Sequence, residues 1–115
     1  MYKIYHNPRC KISRQVLNAL KEKVSDNEIE IREYLKEIPD AKELNDLLVK
    51  LHLKPEDILR KQEQIFKEKF KGKSFSKEEW IQILIGNPKL IERPIIVKGN
   101  KAILCRPPEK LEEIF

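Results

Sequence analysis

The hydrophobic period of the chain changes twice within its first 32 residues, and this pattern narrows the possible folds more than any other feature. Residues 2–6 alternate and are rich in aromatic and β-branched side chains, as in a half-buried strand. Residues 11–23 carry apolar side chains at helical spacing, and residues 28–32 alternate again. A strand, a helix and a second strand in this order predict a βαβ unit with a right-handed crossover.

Helices are predicted in the middle of the chain. Asp40 precedes Glu43 by three residues and Ser76 precedes Glu79 by three, which is the capping pattern of a helix start. Pro55 suits the first position of a short helical segment. The sequence 86–88, Gly-Asn-Pro, predicts the end of the helix that starts after Ser76. We interpret the apolar face of that helix, which includes its tryptophan, as core.

The C-terminal part predicts a return to strands. Residues 95–97 and 102–104 are short apolar runs on either side of Gly99 and Asn100, a two-residue hairpin turn. A proline pair at 107–108 then opens a last short helix. The order β-α-β, helices, β-β-α predicts an α/β fold: a thioredoxin-like mixed four-stranded sheet flanked by helices. The helical insertion lies between the βαβ unit and the C-terminal ββα unit.

Length, charge and hydropathy limit the class of protein. The 115 residues predict a single domain over 1–115. The net charge of +5 is spread along the chain without a basic stripe and interleaved aromatics, so no nucleic-acid partner is expected. We interpret the densest basic run, residues 67–73, as a solvated face or loop. No apolar stretch approaches the roughly 18 residues of a membrane helix, and no leader precedes the first strand, so a cytoplasmic protein is expected.

The chain has only two cysteines, Cys10 and Cys105, and neither belongs to a Cys-x-x-Cys pair. A small domain stapled by disulfides usually carries four or more cysteines. Two scattered cysteines and two histidines also give no spacing typical of a zinc site. Neither a disulfide framework nor a bound metal is expected.

Cys10 lies between a predicted strand and the start of a predicted helix, where unpaired backbone N–H groups favour an anion. An ordinary thiol of pKa about 8.5 is only about 3% thiolate at pH 7. Lowering that pKa by two units requires about 2.7 kcal/mol, whereas a helix terminus supplies about 2 kcal/mol at most. Nearby cations must supply the rest, and His6, Arg9, Lys11 and Arg14 are the local candidates. From this pattern alone, Cys10 can be interpreted either as a reactive thiol or as a small buried side chain.

Four separated segments resemble one family. Residues 5–14, Tyr-His-Asn-Pro-Arg-Cys-Lys-Ile-Ser-Arg, look like the active-site motif of the ArsC-type, glutaredoxin-linked arsenate reductases. Residues 58–61, 91–95 and 104–107 resemble later motifs of the same family, in the same order. The wider group has a thioredoxin-like fold and includes the Spx-like and YffB-like proteins.

The resemblance implies reduction of arsenate to arsenite by a Cys10 thiolate, with Arg60, Arg93 and Arg106 as catalytic, oxyanion-binding arginines. A planar guanidinium matches a phosphate-like anion and keeps its charge. The family also implies an enzyme that has no bound cofactor and uses glutathione as cosubstrate and glutaredoxin as partner. A monomer is expected. Further residues implied at the substrate site are His6, Ser13, Arg14 and Pro94.

Individual assignments differ in what they imply. His6 has two possible interpretations. It either helps to lower the pKa of Cys10, or it is a histidine at a strand end whose hydrogen bond is satisfied. Pro94 corresponds to a cis-proline in the family. Because successive side chains of a strand point to opposite faces, Cys105 is expected to face the core if Arg106 faces the anion. Cys105 would then not be a resolving thiol.

Two alternatives to arsenate reduction remain. Spx-like regulators bind RNA polymerase and carry Cys-x-x-Cys, but Ser13 occupies the second position here, so that disulfide switch cannot form. A glutathione-dependent thiol reductase acting on another substrate would share Cys10 and the arginines. Lys11 and Ile12 replace smaller residues of the best-known members and are expected to narrow the site or change which anion fits.

Overall fold

The computed structural model describes all 115 residues, which divide into two compact units. The first unit consists of residues 1–37 and 93–115, and the second of residues 38–92. All four strands lie in the first unit, and the second unit is built mainly from helices. The predicted helical insertion between the βαβ unit and the C-terminal strands is therefore confirmed.

The first unit contains a mixed sheet in the order β2-β1-β3-β4. The strands are β1 (Tyr2–Tyr5), β2 (Ile29–Arg32), β3 (Ile95–Lys98) and β4 (Lys101–Leu104). β1 and β2 are parallel, whereas β3 is antiparallel to both β1 and β4. The predicted α/β class and the mixed four-stranded sheet are confirmed.

Helix α1 (Lys11–Lys23) begins and ends at the predicted residues and covers the sheet with its apolar stripe. Val16, Leu17 and Leu20 pack with Ile4 of β1 and Ile96 of β3 in one buried cluster. The C-terminal segment Pro108–Ile114, a 3₁₀ helix, adds two more apolar side chains to the same cluster. Both helical segments thus share one side of the core.

The second unit contains α2 (Ala41–Leu51), α3 (Gln64–Lys69) and α4 (Lys77–Gly86), with short 3₁₀ helices at Pro55–Ile58 and Pro88–Leu90. The predicted caps are present at both longer helices. Asp40 Oδ1 accepts from the Glu43 N–H at 2.8 Å, and Ser76 Oγ accepts from the Glu79 N–H at 3.1 Å. Trp80 is buried, as predicted.

Small differences from the sequence prediction have local causes. β1 ends one residue early, at Tyr5, although the His6 N–H still donates to the Arg32 carbonyl at 2.9 Å. Glu28 belongs to a 3₁₀ turn because its carboxylate accepts from the Ser25 hydroxyl at 2.6 Å. The basic run 67–73 contains the end of α3, a helix that the sequence pattern missed, and its lysines are exposed. No helix is both long and apolar enough to cross a bilayer.

Candidate active site

Cys10 caps the N-terminus of α1 after a tight turn that begins at Asn7. The Cys10 N–H donates to the Asn7 carbonyl at 3.0 Å, and the Arg9 N–H donates to Asn7 Oδ1 at 3.0 Å. The Arg14 side chain donates from Nη1 to the Pro8 carbonyl at 2.9 Å. These bonds fix the loop so that the half-buried sulfur lies at the helix start, where the first turn carries no acidic residue.

Ser13 and His6 form a buried pair behind Cys10. His6 Nδ1 and Ser13 Oγ are 2.6 Å apart, and Ser13 Oγ also accepts from the Asn7 N–H at 3.1 Å. Burial lowers the pKa of His6, and the Arg14 and Lys21 charges lower it further, while the Glu33 carboxylate opposes them. His6 is therefore a neutral, hydrogen-bonded side chain at neutral pH. The neutral state and the bond to Ser13 favour the interpretation of His6 as a strand-end histidine with a satisfied hydrogen bond.

The hairpin of β3 and β4 explains why Arg93 and Arg106 lie side by side. Ile95 pairs with Leu104, and the Cys105 N–H donates to the Pro94 carbonyl at 3.0 Å. Continuing this antiparallel register by one residue places Arg93 opposite Arg106. Arg106 Nη1 donates to the Arg93 carbonyl at 3.0 Å, which ties the two chain segments together beyond the strand ends.

Both arginines act on the Cys10 thiol. Arg106 Nη1 is 3.9 Å from Cys10 Sγ, and the Arg93 guanidinium also lowers the pKa of the thiol. Burial by itself raises the pKa of Cys10, but the Ser13 backbone N–H and the two guanidiniums outweigh it and lower the net pKa. The charges that favour the thiolate therefore come from residues more than 80 positions away along the chain, in addition to the helix start.

Arg93 keeps one donor free for a ligand. Its Nε is buried and donates to no acceptor of the chain. Such an orphaned donor is rare in a folded protein, because an unpaired buried polar group costs about 1–3 kcal/mol. Beside a thiol and a second guanidinium, it fits the requirements of an oxyanion ligand.

Arg60 lies in the second unit, in contact with two carboxylates. Its Nη1 donates to Glu92 Oε1 at 2.8 Å and its Nε to Glu63 Oε2 at 3.2 Å. A short antiparallel bridge between Leu59 and Ile91 sets this geometry. Cys10, Arg93 and Arg106 are thus brought together within the first unit, whereas the contacts of Arg60 are made within the second.

Cys105 is fully buried among the apolar side chains of the first unit. Burial, reinforced by the Glu113 charge, raises the pKa of its thiol to about 12. The expectation that Cys105 faces the core while its neighbour Arg106 faces Cys10 is confirmed. The Arg93–Pro94 peptide bond is cis, as the resemblance implied, and the Arg106–Pro107 bond is cis as well.

Other residues of this site were missed or given a different role by the sequence reasoning. Asn7 has no role in the sequence prediction beyond its place in the 5–14 motif, yet it holds the turn before Cys10. An Asn between a strand and a helix start is a usable signal for such a turn. The carboxylates of Glu63 and Glu92 had no signal that separates them from ordinary surface acids. Ile12, expected to affect the anion site, packs against the core cluster, and Lys11 is exposed.

No group of three His, Cys, Asp or Glu side chains is arranged to hold a metal ion. The chemistry available at Cys10 is that of a stabilised thiolate beside two fixed positive charges. Such a site can bind an anion and attack it, because the guanidiniums offset the repulsion between two negative charges.

Comparison with known proteins identifies relatives along nearly the whole chain. The ArsC family model matches residues 5–114. The uncharacterized protein YfgD of Escherichia coli K12 is 45% identical over 114 residues, covering 97% of this chain and 94% of YfgD. An arsenate reductase of Neisseria meningitidis is 33% identical, covering 98% of this chain and 97% of the relative.

A solved structure shows the same fold. The arsenate reductase from Vibrio cholerae superposes with a TM-score of 0.92 at 35% sequence identity, covering 99% of this chain and 97% of that protein. The predicted thioredoxin-like architecture is thereby confirmed beyond the sheet order alone.

Proposed function

Since this chain belongs to the ArsC family, we propose that it reduces arsenate to arsenite, with Cys10 as nucleophile and with glutathione and glutaredoxin as reductants. The observation that carries the proposal is the position of the Cys10 sulfur beside the Arg93 and Arg106 guanidiniums. The relatives named as arsenate reductases support arsenate as the anion.

The proposed reaction begins when the Cys10 thiolate attacks arsenic(V) and one oxygen leaves as water after protonation. A glutathione thiolate then attacks the Cys10 sulfur and the sulfur–arsenic bond breaks. The electron pair of that bond stays on arsenic, which leaves as arsenite, and the two sulfurs form a mixed disulfide. A glutaredoxin thiolate attacks the glutathione sulfur and releases Cys10 as a thiolate.

Two features of the site support this sequence of steps. The lowered pKa of Cys10 increases the fraction of attacking thiolate and also makes Cys10 a better leaving group in the last step. Ser13 holds the position that a resolving cysteine would occupy, and Cys105 is buried, so an external thiol is required. A glutathione-dependent enzyme fits a reducing compartment such as the cytoplasm.

The three arginines have different parts in the proposal. Arg93 and Arg106 bind the arsenate oxygens and stabilise the negative charge that develops on them. Arg60 is proposed as the third oxyanion-binding side chain, with the substrate competing against Glu63 and Glu92 for its donors. His6, Ser13, Arg14 and Pro94 act as residues that position Cys10 and its loop.

The test is arsenate-dependent oxidation of NADPH by the purified protein, with glutathione, glutaredoxin and glutathione reductase supplied. We expect turnover that requires both glutathione and glutaredoxin and that is lost in Cys10→Ser, while the matched variant Cys105→Ser keeps most of it. Turnover with thioredoxin and no glutathione would contradict the reductant. A folded protein without arsenate turnover but with a low-pKa Cys10 would point to a thiol reductase of another substrate.

A further inference from the structure

A preformed aromatic cavity lies within the second unit, between residues 56 and 80, and the proposed reduction does not use it. Its volume is about 510 Å³, which is in the range of cavities that hold small organic ligands. Phe66 and Trp80 are buried side chains of its wall, and Phe70 and Phe75 are half-buried. An apolar body of one or two fused rings would fit such a wall.

Local bonds hold the cavity in its shape. The loop that follows α3 is closed by the N–H groups of Phe70 and Lys71, which both donate to the Phe66 carbonyl at 2.9 Å. Gly72 takes the left-handed conformation, at φ 77°, that this turn requires. The Phe75 and Trp80 rings contact edge to face at 4.8 Å between centroids. A ligand would therefore enter a site that needs little ordering, which favours affinity.

The opening of the cavity is strongly basic. Lys61, Lys67, Lys71 and Lys73 line it and are exposed, and Glu56 is the only acidic residue in its lining. None of the four lysines forms an ion pair with a carboxylate of the chain. Four positive charges against one negative charge, above an apolar wall, are complementary to a molecule with an apolar body and an anionic end.

We propose that this cavity binds a small amphiphilic anion, with an aromatic or branched aliphatic body against Phe66, Phe75 and Trp80. Its carboxylate, sulfonate or phosphate lies among the lysines at the opening. The apolar wall supplies most of the affinity, because four exposed lysines contribute little each in water. The charge selects anions over neutral molecules of the same shape.

Trp80 is the only tryptophan of the chain, so its indole N–H gives a single reporter signal in an amide correlation NMR spectrum. The experiment titrates the full chain with 2-naphthoate and, separately, with 2-naphthalenemethanol, which has the same ring system without the charge. We expect a saturable shift of the Trp80 indole signal with 2-naphthoate and binding of the alcohol that is about tenfold weaker.

Two triple variants each remove three lysine charges, one at the opening of the cavity and one elsewhere on the same unit. Replacing Lys67, Lys71 and Lys73 by Gln should weaken 2-naphthoate binding by about tenfold and leave binding of the alcohol unchanged. The control replaces Lys54, Lys77 and Lys89, which are exposed lysines of the same unit outside the cavity. It should bind 2-naphthoate like the unmodified protein. Failure of 2-naphthoate to shift the Trp80 signal, or equal losses in the two triple variants, would overturn the proposal.

Discussion

The two cysteines of this protein have the same side chain in opposite surroundings. Cys10 is half-buried at a helix start, and two guanidiniums and a backbone N–H favour its thiolate. Cys105 is fully buried among apolar side chains, and this burial raises the pKa of its thiol. Burial raises the pKa of both thiols and is more complete for Cys105, whereas only Cys10 has donors that oppose this rise. Partial burial is therefore compatible with a lowered thiol pKa where donors contact the sulfur.

Alkylation is expected to separate the two thiols by the largest factor. At pH 7 iodoacetamide should modify Cys10 at least about 10³-fold faster than Cys105, because only Cys10 combines access with a lowered pKa. Mass spectrometry of peptides from the folded protein over time measures both rates. Denatured protein, in which the two cysteines should react alike, is the control. Comparable rates in the folded state would break the comparison.

Removing the guanidiniums should bring Cys10 closer to an ordinary thiol. Arg106→Ala is expected to raise the pKa of Cys10 and to lower kcat/KM for arsenate by about 10²-fold. The pH dependence of alkylation gives the pKa, and the coupled assay gives kcat/KM. Lys101→Ala, which removes the charge of an exposed lysine of β4, is the control for loss of charge. An unchanged pKa in Arg106→Ala would show that Arg93 and the helix start activate the thiol without Arg106.

Arg60 differs from Arg93 and Arg106 because two carboxylates offset the charge of its guanidinium. In Glu92→Gln one of these negative charges is lost, while the amide oxygen can still accept from Arg60 Nη1. If the Arg60 charge is offset in this way, the KM for arsenate should fall by roughly threefold. Steady-state kinetics measure the change, and Glu68→Gln, an exposed acid of α3, is the control. A raised KM would instead show that the Glu92 charge orients Arg60 for binding.

The smallest expected effect is a change in stability when the buried thiol of Cys105 is removed. Cys105→Ala should lower the free energy of unfolding by about 1 kcal/mol at pH 7, since it leaves a small cavity. Because the folded pKa of Cys105 is raised to about 12, its thiol ionises first in the unfolded chain as the pH rises above about 9. Ionisation in the unfolded chain destabilises the unmodified protein but not the variant, which has no thiol at this position. The difference in unfolding free energy between the two proteins should therefore become smaller between pH 9 and 11. A constant difference in urea unfolding would contradict the raised pKa.

The features that the sequence predicts well are those set by neighbours along the chain. The bounds of α1, the caps at Asp40 and Ser76, and the turn at Gly99 follow from spacing and local hydrogen bonding. The opposite orientation of Cys105 and Arg106 follows from strand alternation alone. These contacts need no knowledge of distant partners.

The features that were missed depend on contacts between distant residues or on very short elements. α3 has six residues and only Phe66 buried, which is too short for a hydrophobic period to emerge from its charged residues. The ion pair of Arg60 with Glu92 joins residues 32 positions apart, through the bridge of Leu59 and Ile91. The choice of the two guanidiniums near Cys10 came from the family motif, since the local pattern offered other cations.

The length of the turn at Gly99 and Asn100 has a consequence for how the sequence can vary. The register of the hairpin fixes which residue after β4 lies opposite Arg93, and successive side chains alternate between the two faces. Deleting one turn residue would exchange the orientations of Cys105 and Arg106, with the charge forced into the core and the inert thiol turned toward Cys10. Variants with a turn shorter or longer by one residue should therefore be eliminated by selection even though both turn residues are exposed, whereas substitutions that keep its length should persist.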